Sequence, residues 1–432
     1  MDSARIERLR AQPLDATFKS IQIRGESPQT MEEIAERGCR VPDGAFDFPL
    51  VILKESALAA NIDLMASYCQ RHHVELAPHG KTTMAPQLFQ RQIAAGAWGI
   101  TAATPSQVRS FRAFGVKHVL LANVLVDAPA IRWVADELDA DPDFEFLCYV
   151  DSVRGVELIE EALGVRARHR PLPVLVELGY VGGRTGCRGQ DEALAVAERA
   201  AGSAALALRG VAGFEGLIPG GSQQEVIQAS KAFLREMHDL VVDFGRKGLL
   251  LGDRDTVVTA GGSAYFDLVV DAVGPDEFDF PVTTILRSGG YITHDAEMYE
   301  LTSPLAMRAE DGSAPRLQPA LELWATVWSR PERGLAIVGF GKRDAPYDYR
   351  LPVAERVWSY SNGQMRDVRG RYEFTALNDQ HAFMVVPEED PLAVGDRVVC
   401  GISHPCGAFD KWRVLPVVDD DYRVIDGIFT LF

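Results

Sequence analysis

A chain of 432 residues, 47% hydrophobic and 24% charged, can bury a large core and exceeds the usual span of one domain. Its formal net charge of -17 and pI near 5.0 repel nucleic acid and anionic membrane at long range, so neither is expected as a partner. A small-molecule enzyme or a binding protein fits that charge. The N-terminal MDSARIERLRAQPLDATF lacks the apolar core of a signal peptide, and no run of about 18 apolar residues occurs, so a cytoplasmic location is expected. Six cysteines (Cys39, Cys69, Cys148, Cys187, Cys400, Cys406) are scattered without a dense framework, which predicts thiols rather than disulfides.

Residues 1–50 hold two short helical stretches and the strand-like FPLVIL, a strand expected to join a β domain rather than a barrel. Between residues 50 and 290 short apolar runs alternate with segments of helical period, the pattern of repeated βα units. Eight runs stand out: Val74–Leu76, Gly99–Ala102, His118–Leu121, Phe144–Val150, Val174–Leu178, Gly210–Glu215, Thr256–Ala260 and Val282–Arg287. Several are nearly continuous in Val, Leu and Ile, as when both faces of a strand are covered. Thr104-Pro105 reads as an N-cap with proline at the first helical position, and Asp151 as a second N-cap. Ile227, Leu234, Met237, Val241 and Phe244 recur at three- and four-residue steps and predict an amphipathic helix over 223–246. Eight alternations predict an α/β fold, a (β/α)8 TIM barrel, with an open doubly wound sheet as the alternative. Beyond residue 300 the strands LELWATVWS, GLAIVGF, FTALNDQHAFMVV and DRVVCGIS predict a mainly antiparallel β domain. The expected domains are an N-terminal segment 1–50 partly joining that β domain, a barrel at 51–298 and the β domain at 299–432.

Lys81 follows the first barrel strand in VELAPHGKTTMAP, after His79 and Gly80. Barrel active sites lie at the C-terminal ends of the strands, and a lysine there can form an imine with an aldehyde cofactor. A solvated loop lysine is the competing reading. VTAGGSAY puts Gly261, Gly262 and Ser263 after the seventh strand, and LRSGGY puts Ser288, Gly289, Gly290 and Tyr291 after the eighth. Loops after strands 7 and 8 commonly bind phosphate, since glycine lets backbone N–H groups approach an anion; ordinary tight turns also use such pairs. The fifth strand ends in GGRTG with Arg184, which suits the anionic ring oxygen of pyridoxal phosphate (PLP) or, equally, a surface turn. Near the C-terminus, SHPC sets His404 and Cys406 two positions apart, on one face if that segment is extended. A nitrogen and sulfur pair suits zinc with sites left open for substrate, while a buried cysteine beside a structural histidine is the other reading.

In this order and at these separations, PHGKTT, GGRTG, GFEG, AGGS, RSGGY and SHPC resemble the alanine racemase-like (fold type III) PLP enzymes over roughly residues 45–425. Within them the chain looks most like the D-serine dehydratase and D-threonine aldolase branch. The resemblance implies PLP at the strand C-termini, with Lys81 as its Schiff-base lysine and His79 beside it. It places Arg184 at the ring oxygen, Gly262, Ser263, Gly289, Gly290 and Tyr291 at the phosphate, and Arg287 at the pyridine nitrogen. The chain departs from the family at Phe214, often tyrosine, and at Ser288, often proline. The dehydratase branch carries His-x-Cys and holds zinc (Zn2+) with it, whereas the aldolases carry His-x-Asp, so His404 and Cys406 are the implied metal ligands. Thiolate favours zinc acting on an oxygen leaving group, and carboxylate favours harder ions.

The implied activity is that of a dehydratase, a PLP- and zinc-dependent lyase. It converts a D-amino acid with a β-hydroxyl, such as D-serine, D-threonine or D-3-hydroxyaspartate, to a 2-oxo acid and ammonia, with Lys81 as base at Cα. An aldolase yielding glycine and an aldehyde, a racemase, and a PLP-binding protein without turnover are the alternatives. A homodimer is expected from the same resemblance. His381 reads as orienting a metal-site group or as a core histidine, and Asp410, Lys411 and Trp412 as shaping the substrate pocket. His72 and His73 read as structural, and His294 and Asp295 as a polar rim.

Overall fold

In the computed structural model, which describes residues 1–21, 28–164, 170–250, 255–306, 308 and 315–432, eight parallel strands form one sheet. In chain order they are Glu75–Leu76, Ile100–Ala102, His118–Val124, Glu145–Val150, Leu172–Glu177, Leu206–Ala212, Thr256–Ala260 and Val282–Leu286. The first pairs with the eighth, and pairing then descends in order to the second. The first and second strands are joined by the Trp98 N–H to Leu76 carbonyl bond (2.8 Å), the Thr101 N–H to Pro78 carbonyl bond (2.9 Å) and a His79–Thr101 bridge. Those bonds close the ring, so the TIM barrel stands and the open doubly wound sheet does not.

The barrel belongs to a compact unit made of Met65–Lys81 and Gln92–Gly289. Its interior is filled by Ala77, Leu120, Leu147, Tyr149, Leu175, Ala212, Val257 and Ile285, supplied by alternate strand positions. The helix Gln223–Arg246 forms as its spacing predicts and buries Phe233, Leu234, Met237, Leu240, Val241 and Phe244. Thr104 caps its helix by accepting from the Gln107 N–H, ahead of Pro105. Two local expectations change. The sixth strand is Leu206–Ala212 rather than Gly210–Glu215: the Gly213 N–H makes a last bond to the Thr259 carbonyl at 3.0 Å, and Glu215 beyond it accepts the Gly261 amide. The cap expected of Asp151 is provided by Ser152, which accepts from Gly155, while Asp151 accepts the Gly186 N–H at 3.1 Å.

The second unit comprises Asp2–Leu64, Thr82–Arg91 and Gly290–Phe432. Its sheet has ten strands, with Leu321–Glu332 near the middle. Leu50–Lys54, from FPLVIL, lies antiparallel to Leu321–Glu332 and parallel to Val414–Val418, so the early strand does join the β sheet. Every other pairing in that sheet is antiparallel. No helix among the described residues is long and apolar enough to cross a membrane, and none of the six cysteines is in a disulfide.

Candidate active site

At the C-terminal mouth of the barrel, Lys81 lies in a single 3-10 turn, Gly80–Thr82, directly after the first strand, and is exposed. Gly80 makes that turn possible: a Cβ there would lie 2.5 Å from Phe111 Cζ and 2.7 Å from Ile100 Cγ2. His79 precedes it with Nδ1 buried and without a hydrogen-bond partner among the described residues. Burial, and then the charges of Lys81, Arg287 and Arg184, hold its imidazole well below the usual histidine range, so it is neutral.

Arg287 is buried at the end of the eighth strand, donating from Nη1 to Thr259 Oγ1 (2.7 Å) and from Nη2 to the Gly213 carbonyl (2.6 Å). Arg184 is exposed, its guanidinium 4.7 Å from the centre of the Phe214 ring. Around these cations sit groups that the sequence left unassigned. The buried Tyr149 hydroxyl and Glu177 Oε2 have no hydrogen-bond partner among the described residues. Burial raises both above their ordinary ranges, with Arg287 and Arg184 pulling the other way. His79, Tyr149 and Glu177 all feel the same two arginines, so the first, fourth and fifth strand ends converge on one region.

The glycine loops bring a further surprise. Fully buried Glu215 accepts the Gly261 N–H at 3.1 Å and the Gly262 N–H at 3.3 Å, so an internal carboxylate holds the amide of Gly262, which the resemblance placed at the phosphate. Burial raises its carboxyl pKa against the pull of its own backbone, the Gly261 amide and Arg287. Gly261 has φ +86, a left-handed conformation that glycine adopts without strain. Ser288 Oγ donates to the Gly262 carbonyl at 2.6 Å, tying the two loops together. Ser263 and Gly289 are buried in the same loops. Gly290 and Tyr291 fall in the second unit, where with Ile292 they form a buried 3-10 turn. Three orphaned buried polar atoms at a mouth that also holds Lys81, Arg184 and Arg287 suit an anionic aldehyde with polar ring atoms, and PLP is such a molecule.

In the second unit, the strand Arg397–Gly401 leads into Ser403, His404 and Pro405, and a four-residue helix starts at Cys406. The segment is therefore not extended as the spacing argument supposed: Pro405, at φ -62 and ψ -35, starts a helical turn. His404 and Cys406 nevertheless meet through a hydrogen bond. Burial lowers the His404 pKa, but Cys406 and Asp348 outweigh it and raise the value to about 9. Asp348 Oδ2 lies 2.6 Å from His404 Nδ1, Tyr349 meets the imidazole edge-on at 4.9 Å, and Thr82 Oγ1 is 3.3 Å from Cys406 Sγ. His381 instead packs its ring edge-on to Trp328 at 5.4 Å, so the partner holding His404 is Asp348. Among the described residues no group of three or more His, Cys, Asp or Glu side chains forms a metal cluster. The donor set is one imidazole and one thiol, which fits zinc with coordination positions left for non-protein ligands. His294 and Asp295, expected on a polar rim, are buried, at 1% and 2% exposure.

Residues 320–418 match the family model of the putative serine dehydratase domain. A D-threonine aldolase from Arthrobacter sp. is 24% identical over 397 residues, covering 90% of this chain and 93% of its own. The crystal structure of D-threonine aldolase from Filomicrobium marinum superposes with a TM-score of 0.73 at 22% identity, covering 91% of this chain and 96% of that one. D-threo-3-hydroxyaspartate dehydratase from Delftia sp. HT23 superposes with a TM-score of 0.66 at 22% identity, covering 89% and 97%. Barrel and β sheet together give the chain the alanine racemase-like fold, and it is similar over most of its length to a D-threonine aldolase and a D-threo-3-hydroxyaspartate dehydratase.

Proposed function

We propose that the protein is a cytoplasmic, homodimeric PLP- and zinc-dependent dehydratase that converts a D-β-hydroxy amino acid such as D-serine, D-threonine or D-3-hydroxyaspartate to a 2-oxo acid and ammonia. The observation that carries the reading is the hydrogen-bonded His404 and Cys406 pair within the segment that matches the putative serine dehydratase domain. A cysteine-to-alanine mutant of D-threo-3-hydroxyaspartate dehydratase has been solved in a metal-free form, which supports the use of a metal in proteins of this shape.

When bound, PLP supplies an electron sink at Cα and zinc a Lewis acid at the β-oxygen. Lys81 Nζ removes the Cα proton from the strand end that carries it. His79, kept neutral by burial and neighbouring cations, adds no positive charge beside that amine and offers Nδ1 to a polar ligand atom. Arg184 and Arg287 stabilise negative charge at the mouth, and the loop that Ser288 ties to Gly262 carries the phosphate-binding groups, Ser263 and Gly289 among them. His404 and Cys406 would hold the ion; the β-hydroxyl leaves as water with one proton, balancing the one Lys81 takes from Cα, and hydrolysis of the enamine gives the 2-oxo acid and ammonia.

The test incubates purified protein with D-serine, D-threonine and D-3-hydroxyaspartate and quantifies ammonia, 2-oxo acid and glycine before and after chelation. Ammonia and 2-oxo acid in equal amounts are expected, abolished by chelation and restored by zinc. Lys81→Ala should lose turnover and the cofactor absorbance together, and Cys406→Ala should lose zinc but keep PLP. Full turnover in the metal-free protein would refute the dehydratase reading. D-Threonine aldolase activity is the second reading, favoured by the Arthrobacter relative. Glycine and an aldehyde in place of ammonia would establish it.

A further inference from the structure

We infer that Asp348 is the positioning residue of the metal centre: its carboxylate accepts the Nδ1–H of His404 and fixes the ring so that the other nitrogen is left for the ion. The inference rests on the reading of His404 and Cys406 as zinc ligands. With Asp348 Oδ2 at 2.6 Å, Nδ1 carries the proton, which selects the tautomer whose Nε2 lone pair can ligate.

Three contacts hold the segment 346–350 against 403–407. Ser403 Oγ donates to the Arg350 carbonyl at 2.5 Å, His404 donates to Asp348, and Tyr349 packs edge-on to the imidazole at 85°. Gly407 allows the approach, since a Cβ there would lie 3.0 Å from Pro346 Cβ and 3.8 Å from Asp348 Oδ1. Among the described residues the site offers the ion two protein donors, so the orientation of each one weighs heavily on affinity. A carboxylate beside the imidazole and a thiolate at Cys406 also bring two negative charges to a divalent cation. Thr82 Oγ1, 3.3 Å from Cys406 Sγ, holds the second donor as Asp348 holds the first.

The Asp348 side chain is 55% exposed, so its removal opens no cavity and leaves the fold intact. The experiment uses the full-length protein loaded with PLP and compares wild type, Asp348→Asn, Asp348→Ala and His404→Ala. Zinc affinity is measured by competition with a chelating indicator, and the thiolate-to-metal absorption of the cobalt-substituted protein is recorded. Asp348→Ala should weaken zinc binding about 10- to 100-fold, with Asp348→Asn in between because it keeps an acceptor oxygen. The cobalt–thiolate band at saturating cobalt, the PLP absorbance and the melting temperature of the metal-free protein should be unchanged. Wild-type affinity in both variants overturns the inference. So does complete loss of zinc matching His404→Ala, which would make Asp348 a ligand. A wild-type protein that binds no zinc brings down the metal reading itself, and that result needs no variant to be seen.

Discussion

A buried polar atom without a partner costs about 1–3 kcal/mol, so a chain that keeps several has a use for them or places them where something else binds. His79 Nδ1, Tyr149 OH and Glu177 Oε2 are such atoms at the barrel mouth. A second run lies in the other unit, where Thr293 Oγ1, His294 Nδ1 and Asp295 Oδ2, in three successive buried residues, have no hydrogen-bond partner among the described residues. His294 has φ +48, a left-handed conformation that costs a non-glycine residue energy, and its Nε2 meets Glu300 Oε2 at 3.1 Å. Burial, opposed by the Glu297 amide and by His294, raises the Asp295 pKa to about 6. An acid whose folded value is raised binds more protons folded than unfolded, so its contribution to stability falls as pH rises from about 4 to about 6 and is fully lost above. Asp295→Asn keeps the oxygen that accepts the Glu297 and Tyr299 amides and carries no charge. Relative to wild type, it should therefore gain up to about 3 kcal/mol between pH 4 and 7 in urea unfolding. A difference that stays flat across that window sinks the assignment. Sequence could not reveal this burial: GGYITHD has neither the period of a strand nor that of a helix, so nothing marks which of its polar side chains turn inward. Glu215 was hidden in the same way, although GFEG was recognised as a motif, because only the fold shows which amides its carboxylate meets.

At the scale of elements, what could be read was what leaves a local pattern. Apolar runs located the barrel strands, and a sustained stripe of apolar residues located the helix Gln223–Arg246. Contacts between distant segments left no such trace. Lys19 Nζ lies 2.6 Å from Asp344 Oδ1 and 3.0 Å from the Arg343 carbonyl, and sits 3.9 Å from the centre of the Trp412 ring. The Asp344 side chain has 0% exposure; it accepts the Gly341 N–H at 2.9 Å, and its carbonyl accepts from Trp412 Nε1 at 3.0 Å. The N-terminal segment is thus pinned to two loops of its own unit by one ammonium. Truncating Lys19 leaves a buried carboxylate without its cation, and breaking such a pair costs about 3–5 kcal/mol. Lys19 is itself partly exposed, which sets Lys19→Ala at the low end, about 3 kcal/mol. Thermal unfolding followed through tryptophan fluorescence should show both the lower midpoint and a changed native-state signal from Trp412. An unchanged midpoint would mean that water replaces the ammonium at no cost.

For the whole molecule, the question is whether the proposed ion holds the fold or serves only the chemistry. Zinc that builds a structure is enclosed by four protein ligands, and domains that depend on it unfold when it is removed. Here the barrel unit has its own interior of eight buried side chains. The β unit has Trp324, Phe340, Phe409, Trp412 and Phe429 fully buried. Neither core includes the side chain of His404 or Cys406, and the described residues supply two donors rather than four. Chelation should therefore remove zinc while far-UV circular dichroism at 25 °C stays unchanged and thermal unfolding stays cooperative. An ion present at a hundredfold excess over its dissociation constant contributes about 2.7 kcal/mol to the folded state, so the melting temperature should drop by several degrees and no more. Loss of secondary structure on chelation would make the metal part of the scaffold, and the dependence of turnover on zinc could then no longer be read as Lewis-acid chemistry at the β-oxygen.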